Sequence, residues 1–490
     1  MDRITIDPIT RLEGHGRIDI FLDRNGDVEN AYFRVPELRG FERFCVGRIA
    51  EDMPVITSRI CGICPEAHQL ASVKALEELF GVTPTETAKK IRELLYMAFF
   101  VNDHATHFYA MGGPDFIVGP EAPPEKRNLL GVIEKLGGAT GKEIIECRSR
   151  NNRVLTILNG RGMHGVCAVP GGWSRAITRE DQKEIVKAAK DNVDFARFSL
   201  KFFEDVILKS EFFGMMTSDL YLHKTYYMGT VDARNALNLY DGDIRVISPD
   251  GKELVRYRPA EYLSHIAEHV EPWTYLKFPY LKNVGWKGFE DGPDSGVYCA
   301  SPLARLNVSE GMTTPEAQIH FERFFNSLGT KKGDGFQPVH FRLATHWARL
   351  IELLHAAERM LELASDPLIT SGDIRNIPTG VMNEKGVGSL EAPRGTLTHH
   401  YFADEKGVLT KVNIIAGTTN NYAPISLSVK RAAKEMISGG KIIREGILNR
   451  IEMAFRLYDP CLSCATHAGG RPPLPVCIRN RQGEVVEILR

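Results

Sequence analysis

Four cysteines in this 490-residue chain are spaced for chemistry. Cys61 and Cys64 lie near the start, in Arg59-Ile-Cys-Gly-Ile-Cys-Pro-Glu-Ala-His68, and Cys461 and Cys464 near the end, in Asp459-Pro-Cys-Leu-Ser-Cys-Ala-Thr-His467. Two such pairs brought together form a closed, soft, anionic cage that suits a thiophilic metal. Residues 65–460 separate them, whereas a structural zinc usually joins pairs across a short loop to staple a small element. A chain of this length has a core of its own and needs no staple. Spacing alone leaves structural zinc and a reactive metal centre both open.

The remaining cysteines, Cys45, Cys147, Cys167, Cys299 and Cys477, are scattered. An odd total of nine does not read as a secreted disulfide framework, and these five form no tight array of the iron–sulfur kind. They are expected to be buried small hydrophobes.

Composition narrows the function classes. The chain is 43% hydrophobic and 25% charged with a formal net charge of −1, which is ordinary globular composition with no basic stripe for nucleic acid or anionic lipid. No apolar run approaches the roughly 20 residues that span a bilayer. The N-terminus carries neither a signal-peptide stretch nor a twin-arginine pair. The expectation is a soluble, cytoplasmic chain, although a partner subunit could carry an export signal for both.

The elements that must position the cysteines can be read in outline. Residues 17–23 and 28–35 read as a β-hairpin turning at Asn25-Gly26. A long helix is predicted through Glu86–Tyr109, loop-rich chain over 144–172, and a helix opened by the capping box Thr178-Arg-Glu-Asp181 and running to about Glu204. Residues 215–335 are mixed. Helical spacing of Leu343, Trp347, Leu350, Leu354 and Leu361 predicts a helix over Phe341–Ala364. A second hairpin is predicted over His400–Ile415, then helices over about Leu427–Ser438 and Ile443–Leu457, the last stopped by Asp459-Pro460.

Gly160-Arg-Gly-Met-His-Gly165 matches a dinucleotide fingerprint and follows the strand-like residues 153–158. A pyrophosphate site needs a helix to begin there. The next residues, Val-Cys-Ala-Val-Pro170-Gly-Gly, do not form one, so a tight turn or close backbone packing is the better reading.

The residues flanking the cysteines carry a resemblance. Arg-x-Cys-Gly-x-Cys-x-x-x-His and Asp-Pro-Cys-x-x-Cys-x-x-His together resemble the large, catalytic subunit of [NiFe] hydrogenases. Asp7-Pro-Ile-Thr-Arg-Leu-Glu-Gly-His15, Arg39-Gly-Phe-Glu42, Asn102-Asp-His-Ala-Thr-His-Phe108 and Glu391-Ala-Pro-Arg-Gly395 match further family motifs in the same order. The likeness spans Ile6 to His467.

That resemblance implies nickel bound by Cys61, Cys64, Cys461 and Cys464, with Cys64 and Cys464 also bridging to an iron that carries CO and cyanide. Cys461 would be ligand and base, and Glu13 the first acceptor of its proton. His68 would hydrogen-bond a bridging sulfur, and such outer donors tune ligand basicity. Arg394, backed by Pro393, would stand over the open face of the metals and be held by Asp103 and Asp459, since buried charges must be paired. Thr418, ahead of Thr419, would donate to a second cyanide, although Ala-Gly-Thr-Thr-Asn departs from the commoner Pro-Ser/Thr-Thr-Trp-Asn form. Glu42 and His467 would hold a buried magnesium, with iron as the alternative because imidazole is unusual for magnesium.

The implied fold is α+β and predominantly helical: a central helix bundle with small peripheral hairpins and both cysteine pairs meeting at its edge. Residues 1–467 would be one interlocked unit, and 468–490 an extension removed after His467 on maturation. The implied reaction is H2 ⇌ 2 H⁺ + 2 e⁻. Electrons would leave through an iron–sulfur small subunit to further subunits, heterodisulfide reductase-like or diaphorase-like, because both the methyl-viologen-reducing and the NAD(P)-linked branches match. Two rivals remain: a non-catalytic relative such as the quinone-site subunit of respiratory complex I, which lacks the cysteine pairs, and a zinc-stabilised scaffold.

Overall fold

The computed structural model describes residues 3–380, 382–439, 445–466, 476–479 and 485–489. The first hairpin forms as expected, between β2 (Arg17–Leu22) and β3 (Val28–Arg34), and β1 (Arg3–Ile6) adds to its free edge. Alternation explains the sheet: Ile18 pairs with Phe33 and Ile20 with Ala31, all four buried. Gly26 supplies the positive φ of the turn, 79°.

Four helices make the central bundle. They are α2 (Glu86–Thr106), α3 (Gly138–Asn159), α4 (Arg179–Phe203) and α5 (Thr345–Ser365), with α1 (Pro65–Leu79) preceding them. α5 packs on both α2 and α4, while α3 packs on both of these from another side. α5 is buried nearly all round for its first four turns, as a central helix must be. The capping box of α4 is present, with the Thr178 side chain accepting from the Asp181 N–H and Asp181 accepting from the Thr178 N–H.

The expected loop-rich stretch over 144–172 is corrected: its first half is α3. Ile144, Cys147, Asn151, Leu155 and Leu158 form a buried stripe at helical spacing. The stripe hides because two of its members are polar or small. Asn151 is satisfied within the interface by reciprocal hydrogen bonds with Asn192 of α4, at 2.8 and 3.2 Å. The strand-like residues 153–158 are therefore the last turns of a helix, and Gly160 (φ 75°) caps it. No helix begins at Gly165.

The mixed region contains a four-stranded sheet ordered β7-β4-β5-β6, from Tyr226–Val231 (β4), Asp243–Ile247 (β5), Glu253–Tyr257 (β6) and Tyr298–Cys299 (β7). The second hairpin, β9 (Gly395–Ala403) with β10 (Leu409–Ile415), has a third strand that the sequence did not reveal, β8 (Lys385–Ala392). Gly386 and Gly388 concealed it, since glycine weakens a strand signal. Both are needed: a Cβ on them would come within 2.1 Å of Ala75 O and 2.0 Å of Ala71 O on α1. α6 (Tyr422–Met436) and α7 (Glu445–Arg456) complete the unit, and β11 (Val476–Arg479) pairs antiparallel with β12 (Val485–Leu489). Cys45, Cys147, Cys167 and Cys299 are buried, as expected; the Cys477 side chain lies outside the described residues.

Candidate metal centre

Each end of the chain delivers its sulfurs by a local device. Cys61 follows the short helix Met53–Ser58, and Cys64 is the N-cap of α1, where Pro65 loses no helical bond by lacking an N–H. The Ile63 and Cys64 N–H groups donate to Cys61 Sγ, at 3.4 and 3.0 Å. At the other end, α7 stops before Asp459, whose φ of 54° turns the chain sharply into Pro460 and Cys461. Aspartate is among the few residues that adopt this conformation readily.

The two ends meet. Cys61 and Cys461 sulfurs are 3.3 Å apart, Cys64 and Cys464 3.4 Å, and Cys461 and Cys464 2.9 Å. All four ligand atoms lie within 4.8 Å of one another, and all four residues are buried. The Cys61 and Cys64 sulfurs are in bonding contact, which ligation of both as thiolates would replace. Burial pushes the Cys461 thiol well above its ordinary range, and the adjoining Cys464 and Glu13 push it further. A cation in the cage would offset that rise at Cys461, because coordinated thiols are deprotonated outright. The donor set therefore fits a soft metal. The sulfurs lie beneath the surface, and between Cys61 and Cys64 only Gly62 is exposed.

Glu13 reaches the cage through backbone pairing. Its N–H donates to Pro460 O at 3.3 Å and its carbonyl accepts from Leu462 N–H at 2.9 Å. Cys461 Sγ then donates to Glu13 Oε2 at 3.0 Å, while Ser463 donates its N–H to the same oxygen and its hydroxyl to Oε1, at 3.0 and 2.5 Å. Ser463 was not among the expected residues; as the second x of Cys-x-x-Cys it gives no sequence signal.

His68, one turn into α1, places Nε2 3.3 Å from Cys464 Sγ. Its Nδ1 meets His399 Nε2 at 3.0 Å, His399 Nδ1 meets the Tyr401 hydroxyl at 2.6 Å, and Tyr401 donates to Ser72 Oγ at 2.9 Å. His399 and Tyr401 were missed too: the predicted hairpin began only at His400, whereas β9 starts at Gly395 and the i, i+2 spacing on it places both on one face.

Arg394 occupies the two-residue turn Pro393-Arg394 between β8 and β9. Its Nη1 donates to Asp103 Oδ1 at 3.1 Å, and Nη2 stands 2.8 Å from Asp459 Oδ2 as an ion pair without hydrogen-bond alignment. Burial opposes the guanidinium charge, but Asp103 and Asp459, with the nearby Cys461 and Cys464, outweigh it and raise its pKa. Burial moves the Asp459 carboxyl upward, against the pull of Arg394. Asn421 holds the turn, donating to Arg394 O at 2.7 Å, and Pro393 O accepts from Arg305 Nη2 at 3.0 Å. Thr418 Oγ1 accepts from the Cys461 N–H at 3.0 Å, which leaves its own proton to give.

Glu42 is buried, accepts from the Ile414 N–H at 2.8 Å, and lies 3.6 Å from Lys277 Nζ. His467, its expected co-ligand, lies outside the described residues.

Comparison with known proteins accords with this site. A family model described as nickel-dependent hydrogenase matches residues 39–123 and 293–467, and a second, described as HoxL-like, matches residues 3–38. The chain is 46% identical over 492 residues to an F420-non-reducing hydrogenase iron-sulfur subunit of Archaeoglobus profundus, covering 100% of both chains. It is 36% identical over 499 residues to the beta chain of the NAD-reducing hydrogenase HoxS of Cupriavidus necator, covering 99% of each. A crystal structure of NAD+-reducing [NiFe]-hydrogenase in the H2-reduced state superposes with a TM-score of 0.87 at 36% identity, covering 95% of this chain and 100% of that one.

Proposed function

Because this chain belongs to the nickel-dependent hydrogenase family and is its catalytic large subunit, we propose that Cys61, Cys64, Cys461 and Cys464 hold its nickel, with Cys64 and Cys464 shared with iron. The observation that carries the assignment is the convergence of four buried sulfurs from opposite ends of the chain. When bound, the centre supplies heterolytic cleavage of H2, with CO and cyanide on its iron.

The protein's own groups handle the proton and the charge. Cys461 Sγ takes the proton, and Glu13, already in hydrogen-bond contact, receives it. Ser463 fixes both carboxylate oxygens, so the acceptor does not have to reorient. Arg394 presents a charge pinned by Asp103 and Asp459 toward the open face, with Pro393 behind it. Thr418 offers its hydroxyl proton to a cyanide. His68 orients against Cys464 and tunes that ligand. Glu42 and His467 hold a magnesium or iron ion.

Relatives that are subunits of multi-subunit hydrogenases support a partnered enzyme. The immediate electron acceptor we assign is an iron–sulfur small subunit, with heterodisulfide reductase-like or diaphorase-like subunits beyond it. No described helix is long and apolar enough to cross a membrane, and a cytoplasmic location follows from the branch that the chain resembles. Residues 468–490 are removed after His467 in the mature enzyme.

Metal analysis of the purified complex tests the reading. Nickel and iron together, with infrared bands of CO and cyanide, are expected; zinc alone overturns it. Intact mass of the active large subunit should end at His467, and a chain ending at Arg490 refutes the processing.

A further inference from the structure

Arg305, in the short helix Pro302–Val308, is fully buried and bonds each of the three residues that lead into Arg394. Its Nη1 donates to Glu391 Oε2 at 3.1 Å and to Ala392 O at 2.9 Å, and Nη2 donates to Pro393 O at 3.0 Å. Nε and Nη2 grip Glu352 of α5, at 2.7 and 2.6 Å. A guanidinium has five N–H donors, and here every one has a partner. Glu391 is fixed from its other side, where Oε1 accepts from the Thr230 N–H and hydroxyl and from the Thr396 hydroxyl, at 2.9, 2.8 and 2.7 Å.

The same chain of bonds continues to α2. Burial opposes the Glu352 charge, but Arg305 and His104 outweigh it and hold the carboxyl at about 2. Burial holds His104 at about 4 against the pull of Glu352, so the imidazole is neutral. Its Nε2–H donates to Glu352 Oε2 at 2.9 Å. His104 is the neighbour of Asp103, the carboxylate that Arg394 meets. One path of bonds therefore joins the turn that carries Arg394 to the helix that carries its partner. Apolar side chains of similar volume would fill this space without the cost of burying charge. What they could not do is fix a carboxylate and two carbonyls at once from a planar fork, as only arginine can.

We infer that Arg305 is a positioning residue, which with Glu352 and His104 sets the distance from the Arg394 turn to Asp103 on α2. The role rests on the reading of Arg394 as the charge over the open face, but the geometry can be tested without it.

Crystals of the purified, metal-loaded complex carrying Arg305→Lys should show the cage intact and the Arg394–Asp103 contact, 3.1 Å in the native chain, broken. An intact contact would overturn the inference and leave the hairpin and Asn421 as sufficient supports. If the lysine variant does not fold, His104→Leu cuts the path at its far end and should break the same contact. His104→Gln, whose amide can reach Glu352, should keep it. Both histidine variants keeping the contact, or both losing it, would equally overturn the inference.

Turnover separates positioning from general destabilisation. Arg305→Lys should lower H2 turnover by about 10²-fold, the cost of a misplacement of roughly 1 Å. Placed in an Arg394→Lys background, it should cost no more than about twofold further, because it acts through a group already altered. Additive losses would show that Arg305 acts by another route. Wild-type turnover in Arg394→Lys would sink the reading of Arg394 and leave the crystallographic test standing.

Discussion

Glu13 Oε2 stands 3.0 Å from Cys461 Sγ, joining residues 448 positions apart. A carboxylate in contact with a sulfur that gains a proton is placed for proton transfer, and a backbone bridge between the same two residues holds it there.

Replacing Glu13 with Gln keeps the volume and the contacts to Ser463 but removes the proton acceptor. Metal content should be unchanged, while H2 turnover and H/D exchange fall by about 10²–10⁴-fold, the usual worth of a positioned acid–base group. Exchange at the wild-type rate in a fully metallated variant would exclude the role.

Arg394→Lys keeps the charge yet cannot span Asp103 and Asp459 together. Turnover should fall with the fold retained. Arg394→Met strips both carboxylates of their cation, and breaking a buried pair costs about 3–5 kcal/mol, so its denaturation midpoint should drop below that of the lysine variant. Equal stability of the two would show that the carboxylates do not depend on the charge.

Acid should weaken the fold through its buried histidines. Burial, against the pull of Glu352, lowers His355 from 6.5 to about 4, and burial takes His346 to about 3. Between those values and 6.5 the unfolded chain binds more protons, so stability is complete above pH 6.5 and declines as pH falls toward 4. Each such histidine contributes a slope of at most about 1.4 kcal/mol per pH unit. His355→Gln, which can keep a bond to Thr314, should flatten denaturation midpoints measured from pH 7 to pH 5. An unchanged slope would assign the decline elsewhere.

Gly388→Ala places a methyl 2.0 Å from Ala71 O, where neither the strand nor α1 can yield cheaply. Overpacking of this kind costs about 1–3 kcal/mol. Because α1 begins at Cys64, nickel content should fall along with stability. Normal nickel loading in the variant would show that the cage tolerates displacement of α1.

The chemistry of this protein is legible in its sequence, because ligand type and local spacing are written in consecutive residues. The two cysteine pairs could be named from spacing alone, and Glu13, His68 and Arg394 only through the resemblance of the motifs around them to a known family. The capping box at Thr178 and the turn at Gly26 could be named as well, because their causes lie within four residues. Tertiary structure settled what depends on a partner from elsewhere in the chain. Ser463 matters only because Glu13 arrives beside it, and His399 only because α1 lays His68 against β9. α3 passes for loop until Asn192 satisfies Asn151, and β8 is hidden by glycines that exist to let α1 approach. A buried polar or small residue has no periodic signature of its own; the neighbour that satisfies or crowds it gives it meaning.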